Sequence, residues 1–191
     1  GLSTIKEARQ AAKGFSFKPL FGGRGKTKAE KTYCKFFQEK YKGIYNTQTE
    51  WTHEVYRTGE LVTPYGLRFY WPKGQLDHYG SIANLTNIFD YPIQGMATGE
   101  IIPLILYDVW RKIDGLRARI VLTIHDSIVI EHHPDDTDEI KKILINAFTK
   151  DIYNHLRIIY NYEFTTQLGC EIKVSKNWGE GKGEKYEAAG V

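Results

Sequence analysis

The sequence predicts an α+β fold: a helical first part, then an antiparallel sheet with helices packed on one face. Three observations predict it. "TIKEARQAAKGFSF" and "DTDEIKKILINAFTK" carry helical patterns. "RIVLTIHDSIVIEHH", Arg119 to His133, is dense in the β-branched residues that half-buried strands prefer. The second half orders as helix, hairpin, helix, strand.

The first helix opens at Thr4, whose spacing to Glu7 is that of a capping box. Ala8, Ala11 and Ala12 are strong helix formers. Pro19 removes a backbone donor and ends or kinks the helix. Gly22, Gly23 and Gly25, interleaved with Arg24, Lys26 and Lys28, make a basic loop. Residues 29–60 read as two helices broken near Gly43. "LVTPYGLRFYWP" reads as a short strand pair turning at Pro64–Gly66, and Pro72 to Gly80 as loop. "NLTNIFDYPIQGMATGEIIPLILYDVWRKID" is helical, its second part long, apolar and interrupted by Pro103. The hairpin follows, and then an amphipathic helix over Asp135–Ile159, where Ile140, Ile143, Leu144, Ala147 and Phe148 share a face. "CEIKVSKNW" closes as a strand and "GEGKGEKYEAAGV" as a frayed tail.

The net charge of +3 hides an asymmetry. Residues 1–80 hold 14 Lys/Arg against 7 Asp/Glu, and residues 81–191 hold 12 against 16. A basic part suits phosphates and an acidic part suits a cation; solvated faces that differ by chance are the plain alternative. No apolar run approaches the roughly 18 residues of a membrane span, so no membrane partner is expected. Cys34 and Cys170 have neither metal nor redox spacing, which makes a reduced intracellular setting the default. The sole methionine is Met96; a trimmed start explains this, but the expectation is a C-terminal part of something longer.

His125 and Asp126 interrupt an otherwise apolar hairpin. A polar turn explains them; so does a carboxylate held at a rigid tip as an oxygen ligand for Mg²⁺. Arg9, Lys13 and Phe17 are four apart and so lie along one helix face. Phe17 and Phe21 suit either core packing or stacking on a base, the latter worth about 1–3 kcal/mol.

"RQAAKGFSFKPLFGG" resembles the signature helix of the fingers in DNA polymerase I-type, or family A, DNA polymerases. That motif runs Arg, three residues, Lys, three residues, Phe or Tyr, three residues, Tyr, Gly; here the positions are Arg9, Lys13, Phe17, Phe21 and Gly22. "EKYKGIYNTQTEWTHEVYRTGELVTPYGLRFYWP" is similar to the segment that follows in that family. "DYPIQGMATGEII" is similar to its palm helix beginning with a glutamine, "IHDSIVIE" to its catalytic hairpin, and "KNWGE" to its closing strand. Together the motifs cover nearly the whole chain, in order.

The resemblance implies template-directed DNA synthesis. It implies residues 1–80 as fingers and 81–191 as the C-terminal part of the palm, an incomplete polymerase domain. It implies primer-template DNA and dNTPs as partners, and the cytoplasm of a bacterium or phage-infected cell as the setting. Arg9 and Lys13 are expected on the nucleotide phosphates, with Lys13 able to protonate the leaving pyrophosphate. Phe17 is expected against the sugar and Phe21 near the template base. Asp126 is expected as a metal ligand and catalytic residue, His125 near the primer terminus, and Gln94 in the duplex minor groove. Arg68, Arg24 and Lys26 are expected on the DNA backbone. Mg²⁺ is expected in a two-metal site, with one protein ligand from outside this chain. That ligand belongs to an upstream segment, in cis or as a separate chain, and residues 1–191 alone are expected to be inactive. The chain departs from the family pattern at Ser127 (usually Glu), at Thr86 and Asp90 (Arg and Asn), and at Lys18 and Pro19 (Gly and an aliphatic residue).

Two other functions compete with this one. A metal-dependent phosphohydrolase lacks support, because His53, His78 and His155 have no ligand spacing. A non-catalytic nucleic-acid-binding module explains the basic part and the aromatics but not Asp126. Mg²⁺ dependence of nucleotide binding separates it from a polymerase, since a binding module responds to salt alone.

Overall fold

The computed structural model describes residues 4–71, 85–177 and 183–187. The chain divides into two compact units, Gly1–Ile93 and Gln94–Val191. The boundary expected from sequence stood at 80/81; contacts divide the chain at 93/94 because α4 packs into the core of the first unit.

In the first unit, α1 (Ile5–Leu20) begins at the expected cap. The Thr4 side chain accepts from the Glu7 amide, and the Glu7 carboxylate accepts from the Thr4 amide, both at 3.2 Å. Pro19 lies in the last turn, and the helix stops one residue later. A second capping box, Thr27 with Glu30, starts α2 (Lys28–Lys40). The break before α3 (Lys42–Thr58) falls at Tyr41, whose ψ of 58° leaves the helical range. That is two residues before Gly43, near which the sequence places the break. Gly59, at φ 79°, ends α3 in the left-handed conformation. β1 (Glu60–Val62) and β2 (Arg68–Tyr70) pair antiparallel, Leu61 opposite Phe69, around the expected turn. α4 (Leu85–Gln94) supplies Ile88 and Phe89 to a core with Val55, Leu61 and Trp71. The Tyr65 hydroxyl donates to the Pro92 carbonyl at 2.6 Å, tying the turn to α4.

Glu30 is held well below the usual carboxylate range, from 4.5 to about 2, first by the Lys18 side chain and then by the Thr27 and Lys26 amides. A depressed acid stabilises the fold fully above its unfolded pKa and loses that contribution as pH falls toward its folded value. Acid titration of thermal unfolding should therefore show a fall between about pH 4.5 and 2 that Glu30→Gln flattens. An equally steep fall in the variant would assign it to other carboxylates.

The second unit opens with a π-helical segment, Gly95–Ile101, that continues α4 into α5 (Ile102–Lys112). The interruption expected at Pro103 takes another form: the helix runs on through Pro103, and the irregularity is the π segment that ends at Ile101, two residues before it. β3 (Ala118–Ile124) and β4 (Ser127–His132) form the hairpin. A 3₁₀ turn leads to α6 (Thr137–Asn146), a second π segment (Ala147–Asp151) and α7 (Ile152–Tyr160). Ile105 and Val109 of α5 and Ile152 and Leu156 of α7 are fully buried. Lys112 ties α5 to the second π segment, reaching Asp108 and Asp151 at 2.6 Å each. Tyr160 donates to Glu100 of the first π segment; that bond, then burial, pushes the phenol up to about 12.

β5 (Gly169–Lys173) pairs antiparallel with β6 (Gly183–Glu187). The frayed tail is thus corrected for 183–187, where a partner strand supplies the ladder bonds that local composition does not predict. The fold is α+β as expected, but the described strands form three separate two-stranded ladders. The expected loop at Pro72–Gly80 and the end of the closing strand at Trp178 lie outside the described residues.

Candidate active site

The first unit carries Arg9, Lys13, Phe17, Phe21, Arg24, Lys26 and Arg68. Arg9, Lys13 and Phe17 recur every fourth residue of α1, and all are exposed. Neither Arg9 nor Lys13 makes a hydrogen bond or ion pair among the described residues. Two uncompensated cations one turn apart make an anion-binding stripe. Phe17 is half exposed and meets Phe21 edge-on, ring centroids 6.0 Å apart. A core residue would be enclosed, so the exposed face of Phe17 favours an external flat partner.

Arg24 lines a cleft of about 490 Å³ together with Lys31, Lys35, Gln48 and Phe89. Lys31 and Lys35 were not singled out from the sequence; their spacing on one face of α2 was the available signal. The side chain of Lys26 is exposed, while its amide donates to Glu30. Arg68 differs: it spans the β1–β2 ladder to Glu60 at 3.3 Å, so its charge is already countered.

The second unit carries Gln94, His125 and Asp126. Gln94 is exposed at the junction of α4 with the π segment, and its carbonyl accepts from the Thr98 hydroxyl at 2.8 Å. π segments inside α-helices occur often at functional sites.

The hairpin is built to present Asp126. Ile120 pairs with Ile130 and Leu122 with Val129, leaving Val121 as a bulge. That extra residue shifts the register so that Ile124 faces Ser127, and the loop contains only His125 and Asp126. Bulges re-aim side chains in this way beside active sites. The Ser127 hydroxyl donates to the Ile124 carbonyl at 2.8 Å, closing the turn. Farther back, Arg119 grips Glu131 across the ladder. His125 adopts φ 51°, a left-handed conformation that a tight two-residue turn demands at its first position. Strain of this kind persists where the surroundings over-determine it.

The Asp126 carboxylate is exposed and has no hydrogen bond or ion pair among the described residues. Nor do those residues gather three His, Cys, Asp or Glu side chains suited to a metal ion. The exposed carboxylate of Asp126 could serve as one oxygen ligand of a divalent cation. Mg²⁺ suits such a site, since it keeps waters and uses one or two carboxylates with substrate phosphates.

The sequence model of DNA polymerase family A matches residues 4–180. The chain belongs to that family. It is 32% identical over 91 residues to a DNA polymerase of Bacillus phage SP01, a match covering 47% of this chain and 10% of that protein. Its fold is similar to the POL domain of Pol1 from M. smegmatis, solved in complex with DNA primer-template and dNTP. There the TM-score is 0.64 at 21% identity, over 82% of this chain and 28% of that one. The chain thus spans about a tenth of the phage relative and under a third of the structural one. Among the described residues no helix is long and apolar enough to cross a membrane.

Proposed function

We propose that this chain contributes the nucleotide-binding fingers and one metal-binding side of the palm to template-directed DNA synthesis. The observation that carries the reading is the unpaired carboxylate of Asp126 in a two-residue hairpin turn closed by the Ser127 hydroxyl, in a chain of family A. Residues 1–80 act as fingers and 81–191 as palm. Primer-template DNA and dNTPs, present with the M. smegmatis POL domain, are the partners proposed here.

In the reaction, the primer 3′-hydroxyl gives up its proton to solvent water and its oxygen bonds the α-phosphorus. The bond to the bridging oxygen breaks, and pyrophosphate leaves. Arg9 and Lys13 hold the triphosphate, and Lys13 donates a proton to the departing pyrophosphate. Phe17 bears on the sugar, Phe21 on the template base, and Gln94 on the minor groove, whose acceptors occur at every base pair. Arg24 and Lys26 follow the DNA backbone; Arg68, paired with Glu60, joins them only by exchanging that carboxylate for a phosphate. Asp126 would hold Mg²⁺, which neutralises charge on the phosphates.

Arg9→Ala and Lys13→Ala test the reading. Each removes a charge-assisted contact, so nucleotide kcat/KM should fall roughly 10- to 100-fold while DNA affinity is kept. Lost DNA affinity with intact nucleotide kinetics would turn α1 toward the wrong partner.

His125→Gly is informative for a second reason. Glycine accepts the left-handed turn without strain but costs chain entropy, so stability should stay within about 1 kcal/mol of wild type. If His125 orients the primer terminus, extension should still drop roughly tenfold or more. Extension that tracks stability alone would reduce His125 to a turn residue.

A further inference from the structure

The carboxyl end of α1 is fastened more elaborately than a helix end requires. The Lys18 side chain reaches back from α1 to the Glu30 carboxylate. The second oxygen of that carboxylate accepts from the Lys26 amide at 2.6 Å and the Thr27 amide at 3.0 Å. One acid thus closes the capping box of α2 and binds the last turn of α1. The two side chains are only 32% and 19% exposed, so water screens them incompletely.

The loop between is shaped around them. The Gly23 amide donates to the Lys18 carbonyl at 2.6 Å. A Cβ on Gly23 would stand 2.6 Å from Lys18 Cγ, and one on Gly25 would stand 2.7 Å from Glu30 Cβ. Both glycines therefore make room for this pair. Gln48 of α3 adds a neutral tie, donating to the Pro19 and Leu20 carbonyls at 3.2 and 2.7 Å. Unlike Arg9 and Lys13, Lys18 has spent its charge inside the fold and has none to offer a phosphate.

We infer that Lys18 and Glu30 are a positioning pair for nucleotide binding. Through the last turn of α1 they hold Phe17 and Phe21, and the stripe of Arg9 and Lys13, in the orientation that accepts the triphosphate. This rests on the function proposed above. Loosening the pair lowers the fraction of molecules with α1 set for binding, and apparent affinity falls by that fraction. The effect belongs in KM; once nucleotide is bound, α1 is in place and kcat is kept.

The test uses the assembled polymerase, with the segment that supplies the second carboxylate. Lys18→Met removes the charge and keeps the stem. Glu30→Gln removes the charge and keeps the capping box, which accepts Glu or Gln. Each should raise nucleotide KM about fivefold with kcat within about twofold. The double variant should be no worse than either single one, as expected for partners in one interaction, and Lys18→Arg should restore KM. Amide exchange at residues 21–27 should quicken in both single variants. Unchanged KM beside quickened exchange overturns the inference, leaving the pair merely structural, and so do additive effects in the double variant. A wild-type assembly that fails to extend primers overturns the functional reading instead, and the exchange rates then still report whether the tie exists.

Discussion

Asp126→Asn should leave the protein folded and bound to primer-template, and all but abolish nucleotide addition. The carboxylate is exposed and makes no contact within the described fold that an amide would break. Asparagine is at home in tight turns, so the hairpin should keep its shape. What is lost is negative charge at the one unpaired acid of the tip. A catalytic metal supplies several kcal/mol of transition-state stabilisation, and losing about 4 kcal/mol slows a reaction roughly a thousandfold. Single-turnover extension at saturating nucleotide, beside a melting curve, measures both halves of the expectation. Near-normal extension by this variant would falsify the assignment of Asp126 as a ligand.

The other large effect concerns the 191-residue chain by itself. Two-metal chemistry needs carboxylates from both sides of the reacting phosphate, and the described residues gather no group of three or more His, Cys, Asp or Glu side chains suited to a metal. The hairpin that carries it exposes Val121, Leu122 and Ile124 at 49%, 39% and 39%, and no third described strand pairs with it. Open ladder edges beside apolar surface promote association. The isolated chain should bind DNA weakly, self-associate and extend no primer with Mg²⁺. A second polypeptide segment bearing the missing carboxylate, in cis or in trans, should restore extension. Robust synthesis by the purified chain, against an inactive Asp126→Asn control, would overturn this expectation.

Local rules carried much of the fold. The Thr4–Glu7 box, the stop at Pro19 and the turn at Pro64–Gly66 were legible because each depends on neighbours in sequence. The Thr27–Glu30 box has the same signature, masked by the glycine-rich basic stretch around it. Other features depend on partners far along the chain. Apart from Tyr186, β6 is built from residues with low strand propensity, and it exists through its pairing with β5. The residue at which the helix breaks, Tyr41, has no composition to announce it; the composition that does lies two residues on, at Gly43. The π segments follow no hydrophobic period that distinguishes them from α-helix.

At the candidate site, residue types were readable and their setting was not. Asp126 could be singled out because a charge interrupts an apolar run. The register that leaves it in a two-residue loop hangs on Val121, one β-branched residue among several. The hydroxyl of Ser127, in place of the family's usual glutamate, is spent on closing the turn. The pairing of Arg68 with Glu60 needed the strand register to be seen.

Val121 also means that the chain does not hold its length equally tightly everywhere. The bulge stores one residue of slack. Deleting it would bring the Ile120–Ile130 and Leu122–Val129 pairs together as a regular ladder, with His125 and Asp126 still at the tip. The π segments hold a similar reserve, because each spans one residue more per hydrogen-bonded turn than an α-helix. Removing a residue from β4 has no such outlet: every side chain beyond the cut would change faces. Insertions and deletions along this lineage therefore have natural places to settle, and one of them adjoins the carboxylate on which the proposed chemistry depends.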